Sequence, residues 1–199
     1  DRSQLYIAVR ARDGRVVTAR EAAEDAKSDE QLYCPCCMQR GERVQVRLDP
    51  VDIKFLHTGD TPRACYRDER CNDRHHPETT QAVYATLNND FSKKSARIEY
   101  WTDHATFDVA ADTPYRGDLE AVVVEVHHRC ANVRSRIARK VRAAARLEYG
   151  VHIVTTEEAT AQTFLNEFVK HYAGADATAG NYEDGELKLG SMIRPEDVL

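Results

Sequence analysis

Residues 105–129 constrain the fold more than any other stretch, because they have the pattern of two strands joined by a turn. The second strand is a run of β-branched residues that contains Glu125 and His127, and residues two apart in a strand point to the same face. Residues 112–120 are rich in turn formers, and folding the hairpin there brings Asp108 close to Glu125. Two carboxylates and an imidazole in one place could hold a divalent cation beside a phosphate.

Asp118 is the alternative to Asp108 for the first carboxylate of this site. It precedes Glu125 by seven positions, so it lies on the opposite face of a straight strand and too far along it. Only a bulge or a sharp bend would bring Asp118 into the site, and we therefore favour Asp108.

Length and charge exclude several classes of protein. The 199 residues suffice for one core with a small appended module. Charged residues make up 31%, and no run reaches the roughly 18 apolar residues that a membrane helix needs. With no signal-peptide pattern, we expect a cytoplasmic protein with no membrane partner, and a homo-oligomer stays open. The net charge of -5 argues against a uniformly basic coat for nucleic acid.

Clustered cysteines predict a zinc site in the first third of the chain. Tetrahedral zinc takes four thiolate or imidazole ligands, and the two-residue gap between Cys34 and Cys37 lets one tight turn present both sulfurs. We expect His57 and Cys71 to complete the set. A closed set of four ligands leaves no position for water, which favours a structural ion over a catalytic one.

Other residues near this cluster could also ligate the ion. The alternatives that stay open are Cys36, Cys65, His75 and His76.

The first ninety residues also contain local signals for a hairpin and two helices. Residues 5–18 predict a hairpin with its turn at Asp13 and Gly14, and Thr18 then caps a helix over residues 19–27. Residues 77–94 have helical apolar spacing. Glu78, near the start of that helix, is either a partner of the helix dipole or an acid at the edge of the metal site.

A strand over residues 96–101 leads into the central hairpin, and a basic helix follows it. Residues 129–146 carry seven basic side chains and no acid, on a repeat whose apolar positions pack on the sheet. Such a stripe suits contact with phosphates of a nucleic acid. The predicted contacts are Arg129, Arg134, Arg136, Arg139, Lys140 and Arg142.

The last fifty residues predict two strands, a helix and a loop. Gly150 is expected to end the basic helix, and a strand over 151–155 follows. A further helix is predicted over 157–172, then a flexible loop from residue 174 and an edge strand over 187–193.

In this order of elements, the chain resembles the PD-(D/E)xK nuclease superfamily, and within it the competence-protein CoiA-like family. The resemblance rests on the Cys34-Pro35-Cys36-Cys37 knuckle with His57, on a helix that opens with Glu78, and on the core signature. That signature, an aspartate before a turn and then Glu-x-Gln or Glu-x-Lys, matches Asp108 and Glu125-Val126-His127. The chain departs from it in two places. His127 stands where the family has lysine or glutamine, and residues 80–86 lack the usual histidine-lysine pattern.

The resemblance implies an α/β fold with a restriction-endonuclease-like core, in which helices flank a mixed sheet, and a small N-terminal zinc-knuckle-like module. We divide the chain into the hairpin and zinc module at 1–76, the nuclease-like core at 77–173, and a loop and tail at 174–199.

The implied activity is that of a metal-dependent DNA endonuclease or processing nuclease. In this hypothesis Asp108 and Glu125 hold Mg²⁺ or Mn²⁺, Glu78 assists, and His127 positions the attacking water. The alternative is a catalytically inactive, zinc-containing module that binds DNA or assists recombination.

Overall fold

The chain divides into two units, Asp1–Lys94 and Ser95–Leu199, and each contains one β-sheet. The mixture of helices and sheets agrees in outline with the expected fold class. The computed structural model describes residues 4–25, 30–59, 75–88, 90–93, 95–103, 105–112, 122–127, 134–155, 177–183 and 186–189.

Five strands form the sheet of the first unit, in the order β2-β1-β3-β4-β5 with antiparallel neighbours. They are β1 (Ile7–Arg10), β2 (Val16–Thr18), β3 (Leu32–Tyr33), β4 (Gln45–Asp49) and β5 (Lys54–His57). An isolated bridge joins Leu5 to Phe55, so β5 returns to the residues that precede β1. Both side chains are fully buried, which places the core of this unit there.

Strands β1 and β2 form the predicted hairpin, and Thr18 caps the predicted helix that follows. Gly14 in the turn has a φ of 70°, a left-handed conformation that glycine adopts without a side-chain clash. The Thr18 hydroxyl accepts a hydrogen bond from the Glu21 backbone N–H at 3.2 Å, and the Glu21 carboxylate accepts from the Thr18 N–H at 2.7 Å. Helix α1 (Ala19–Glu24) ends with Asp25 as its C-cap, whereas the prediction extended it to residue 27.

The first unit also contains helices α2 (Pro35–Gln39) and α3 (His75–Leu87) and a short 3₁₀ helix (Phe91–Lys93). The Gln81 side chain attaches α3 to the sheet: it accepts from the Tyr6 N–H at 2.7 Å and donates to the Gln4 carbonyl at 2.6 Å. The predicted helix extended to residue 94, but α3 ends at Leu87. The Phe91 N–H donates to the Gly14 carbonyl at 3.0 Å, which holds the chain against the hairpin turn instead.

Six strands form the sheet of the second unit, in the order β11-β10-β9-β8-β7-β6. The pairs β6/β7, β7/β8 and β10/β11 are antiparallel, whereas β8/β9 and β9/β10 are parallel. They are β6 (Ala96–Trp101), β7 (Thr106–Ala111), β8 (Val122–His127), β9 (Gly150–Thr155), β10 (Ala177–Glu183) and β11 (Glu186–Leu189). The pairing of β7 with β8 confirms the central hairpin, and β11 confirms an edge strand near residue 187.

Helix α4 (Arg134–Arg146) connects β8 to its parallel neighbour β9, on which it packs. The prediction that Gly150 ends this helix is wrong, because Gly150 is the first residue of β9. Glu148 takes the left-handed position instead, with a φ of 59°. The Glu148 N–H donates to the Ala145 carbonyl at 3.1 Å and the Tyr149 N–H to the Ala144 carbonyl at 3.0 Å, which is the Schellman arrangement.

Several predictions concern residues outside the described ranges: the turn of the central hairpin with Asp118, and the helix over 157–172. Residues 177–183, which the sequence pattern assigned to a flexible loop, form strand β10, held by parallel pairing with β9.

Candidate functional site

Asp108 on β7 and Glu125 on β8 lie next to each other across the sheet. Val109 is opposite Val124 in the antiparallel ladder, and the two acids are the next residues of their strands. Asp108 Oδ2 accepts a hydrogen bond from the Val126 backbone N–H at 2.8 Å. The hairpin therefore brings together the two carboxylates selected from the sequence, and it holds one of them by a backbone donor.

Glu125 is a buried acid whose charge is counterbalanced by a lysine. Its exposed fraction is 1%, and one carboxylate oxygen, Oε2, contacts the Lys140 ammonium. Burial raises the pKa of Glu125 well above its ordinary range, and the charge of Asp108 raises it further. Lys140 acts in the opposite direction by stabilising the carboxylate. Burial and Asp108 thus favour the protonated acid, and the Lys140 ammonium favours the carboxylate.

The two acids fit a hard divalent cation. Mg²⁺ and Mn²⁺ prefer oxygen ligands, and Mg²⁺ is commonly held by one or two carboxylates together with water and phosphate oxygens. Asp108 is half-buried, so a substrate could reach the pair of acids from the Asp108 side. His127 follows Glu125 by two positions at the end of β8, but its side chain lies outside the described part.

Glu78, the third acid proposed for the site, belongs to α3 in the first unit. There its Oε1 forms an ion pair with Arg20 Nε at 3.1 Å.

The predicted DNA contacts divide by their position on α4. Arg139 and Arg142 are exposed, whereas Lys140 lies at Glu125. Arg129 and the side chains of Arg134 and Arg136 lie outside the described part.

A buried group of Cys34, Cys37 and His57 in the first unit could hold a metal ion such as zinc. The three ligand atoms lie within 4.8 Å of one another, and Cys37 Sγ is 3.8 Å from His57 Nε2. Cys34 precedes α2 and Cys37 lies within it, while His57 at the end of β5 pairs with Val46 of β4. Cys71, the predicted fourth ligand, lies outside the described ranges, as does Cys65.

Arg40 was not selected from the sequence, yet its guanidinium lies beside two of the thiols. Its Nη1 is 3.7 Å from Cys36 Sγ and its Nη2 is 3.6 Å from Cys37 Sγ. A nearby cation stabilises thiolates, which are the form that ligates metal. The sequence did contain a signal for this contact: Arg40 follows Cys37 by three positions, and residues three apart in a helical turn are neighbours.

No family model and no curated protein matches this chain. It is similar to a solved structure of SfsA from Pyrococcus furiosus in complex with Ca²⁺, with 11% identity, a TM-score of 0.28, and coverage of 94% of this chain and 93% of that one.

Within the part of the chain that the structure describes, no helix is long and apolar enough to cross a membrane.

Proposed function

We propose that this protein is a metal-dependent DNA nuclease of the PD-(D/E)xK type. The observation that carries the proposal is the placement of Asp108 and Glu125 side by side on adjacent strands, with Lys140 in contact with the buried acid. A buried carboxylate needs a hydrogen-bonded partner or a bound cation to stay charged. The free-energy cost of burying a carboxylate is easier to explain in a site that uses its charge than in an ordinary core.

The connectivity of the second unit supports the same proposal. Three antiparallel strands, β6 to β8, are followed by helix α4 and by β9, which is parallel to β8. The resemblance noted in the sequence predicts strand, hairpin, helix and strand in this order, with the two acids on the hairpin. Here they lie on β7 and β8.

Each residue has a defined part in the proposed hydrolysis. Asp108 and Glu125 would hold Mg²⁺ or Mn²⁺, which when bound polarises a phosphate and lowers the pKa of its water. Asp108 is oriented by the Val126 N–H, and His127 is proposed to position the water that attacks phosphorus as the P–O bond to the leaving group breaks. Exposed Arg139 and Arg142 would contact backbone phosphates.

The first unit is proposed to carry a structural zinc ion. Cys34, Cys37 and His57 would supply three ligands and Cys71 the fourth, which closes a tetrahedral sphere. Such an ion would hold α2 to the β4/β5 hairpin, because its ligands come from both.

The proposal is tested by incubating supercoiled, linear and single-stranded DNA with the protein and Mg²⁺ or Mn²⁺. We expect cleavage by the wild type and a loss of about 100-fold or more in Asp108→Asn and Glu125→Gln. The matched control is Asp112→Asn, an exposed acid just beyond β7 that pairs with Arg97, which should cut like the wild type. Intact DNA under all of these conditions would reject the nuclease, and equal cutting by the double variant would reject the site.

A catalytically inactive DNA-binding module is the second candidate. Two observations favour it: His127 replaces the lysine or glutamine of the resembled motif, and Lys140 already neutralises Glu125 without a metal ion. This candidate predicts DNA binding that survives EDTA, weakens steeply with salt and never leads to cleavage.

A further inference from the structure

We propose that Lys140 is a catalytic residue of the proposed nuclease site and not one of the side chains that bind DNA along α4. The inference rests on the proposed function, and it names the residue that would contact the scissile phosphate. Lys140 is one of six basic residues that the sequence pattern assigned together to phosphate contact, so its separate position was not foreseen.

The phase of α4 separates Lys140 from its basic neighbours. Val141 and Ala144, one and four positions further along, are buried with exposed fractions of 4% and 0%. Residues four apart lie on the same side of a helix, so Lys140 shares the face that packs inward. Arg139 and Arg142, on either side, are exposed. Only 12% of the Lys140 side chain is exposed, so its aliphatic stem is largely removed from solvent.

The contact with Glu125 places the ammonium where charge develops in phosphodiester hydrolysis. A metal ion held by Glu125 and a phosphate bound to that ion would both lie next to Lys140, because Glu125 is their shared neighbour. The transition state concentrates negative charge on the phosphate oxygens, and a preorganised cation in a partly dry site stabilises it more than the ground state. Lys140 would supply charge alone and transfer no proton.

The two assignments of Lys140 differ in what its removal changes. A residue that only contacts the DNA backbone binds substrate and transition state equally. Its loss weakens DNA affinity and reduces the slope of log affinity against log salt concentration by about one. The cleavage rate of bound DNA changes little. Loss of a residue that acts in the transition state lowers the cleavage rate of bound DNA and leaves DNA affinity nearly unchanged.

The experiment compares Lys140→Met with Arg139→Met in two measurements. DNA affinity is measured by fluorescence anisotropy in EDTA over a range of salt, and cleavage of fully bound DNA by single-turnover kinetics with Mg²⁺. We expect Lys140→Met to keep its affinity within about twofold and lose about 100-fold in rate. Arg139→Met should lose affinity and salt dependence, with a much smaller change in single-turnover rate than Lys140→Met. Lys140→Arg, which retains the charge, should recover part of the rate.

The opposite pattern, with Lys140→Met losing affinity and salt dependence as Arg139→Met does at an unchanged rate, would overturn the inference. If Lys140→Met does not fold, Glu125→Gln with and without Lys140→Met removes the pair in two steps. No further loss of DNA affinity in the double variant supports the inference, and a loss equal to that of Arg139→Met overturns it. A wild-type protein that binds DNA and cuts none under any metal would instead reject the nuclease proposal itself.

Discussion

The Sγ of Cys37 lies 3.8 Å from Nε2 of His57, although twenty positions separate the two residues in the chain. Cys34 completes the buried group. Two thiols and an imidazole, buried together, fit zinc more readily than a hard cation, because thiolate and imidazole are softer donors than carboxylate.

Replacement of Cys37 by serine should therefore remove bound zinc. We expect about one zinc ion per chain in wild type purified without chelator and much less in Cys37→Ser, measured by elemental analysis. Because the ion would connect α2 to β5, the variant should also unfold at a lower temperature. Cys36→Ser is the matched variant, since Cys36 is outside the group of three. Zinc loss in Cys36→Ser would show that Cys36, and not Cys71, is the fourth ligand.

Breaking the contact between Lys140 and Glu125 should destabilise the protein. Lys140→Met leaves a buried carboxylate without its cation, and such losses amount to about 3 kcal/mol. Urea unfolding measures the change, and adding Glu125→Gln should restore most of the stability because it removes the uncompensated charge. Arg139→Met, on the exposed face, should stay within about 0.5 kcal/mol of wild type. Equal effects of the Lys140 and Arg139 replacements would contradict a buried pair.

Stability should depend on pH through Glu125. Its pKa in the folded protein is raised by burial and by Asp108 above the ordinary 4.5, so the folded state holds its proton over a pH window where the unfolded state has lost it. The contribution is fully present below the unfolded pKa and is lost as pH rises through the folded pKa. The difference in unfolding free energy between Glu125→Gln and wild type should therefore grow with pH across this window. A difference that shrinks with rising pH would mean that the folded pKa is lowered.

The end of α4 offers a stabilising substitution. Glu148 has a φ of 59°, a conformation that costs a residue with a Cβ and suits glycine. We expect Glu148→Gly to raise the unfolding free energy by about 1 kcal/mol. Glu148→Ala removes the same carboxylate but keeps the Cβ, so it should gain nothing. If both variants gain equally, the charge and not the backbone conformation is responsible.

The inward position of Lys140 was not predicted from the sequence. Its charge placed it with the arginines, although the spacing to Val141 and Ala144 contained the signal that it faces inward. A basic residue on an apolar face is ordinarily assigned to the solvent side, and only the position of Glu125 under the helix makes burial of the ammonium favourable. The early end of α3 has a similar cause, since the hydrogen bond from Phe91 to Gly14 depends on a hairpin far away in the chain.

Spacing along the chain was enough to predict the hairpin of β7 and β8, the cap at Thr18, the pairing of Cys34 with Cys37 in one turn, and the position of Asp108 beside Glu125. These features depend on side-chain periodicity and on turn geometry, both of which are local. The sequence offered His57 as one of several candidate ligands, and the tertiary structure decided that it is the one beside the two cysteines and that Lys140 meets Glu125. Those contacts arise when distant segments pack, and packing follows the burial of whole faces, which no local pattern specifies.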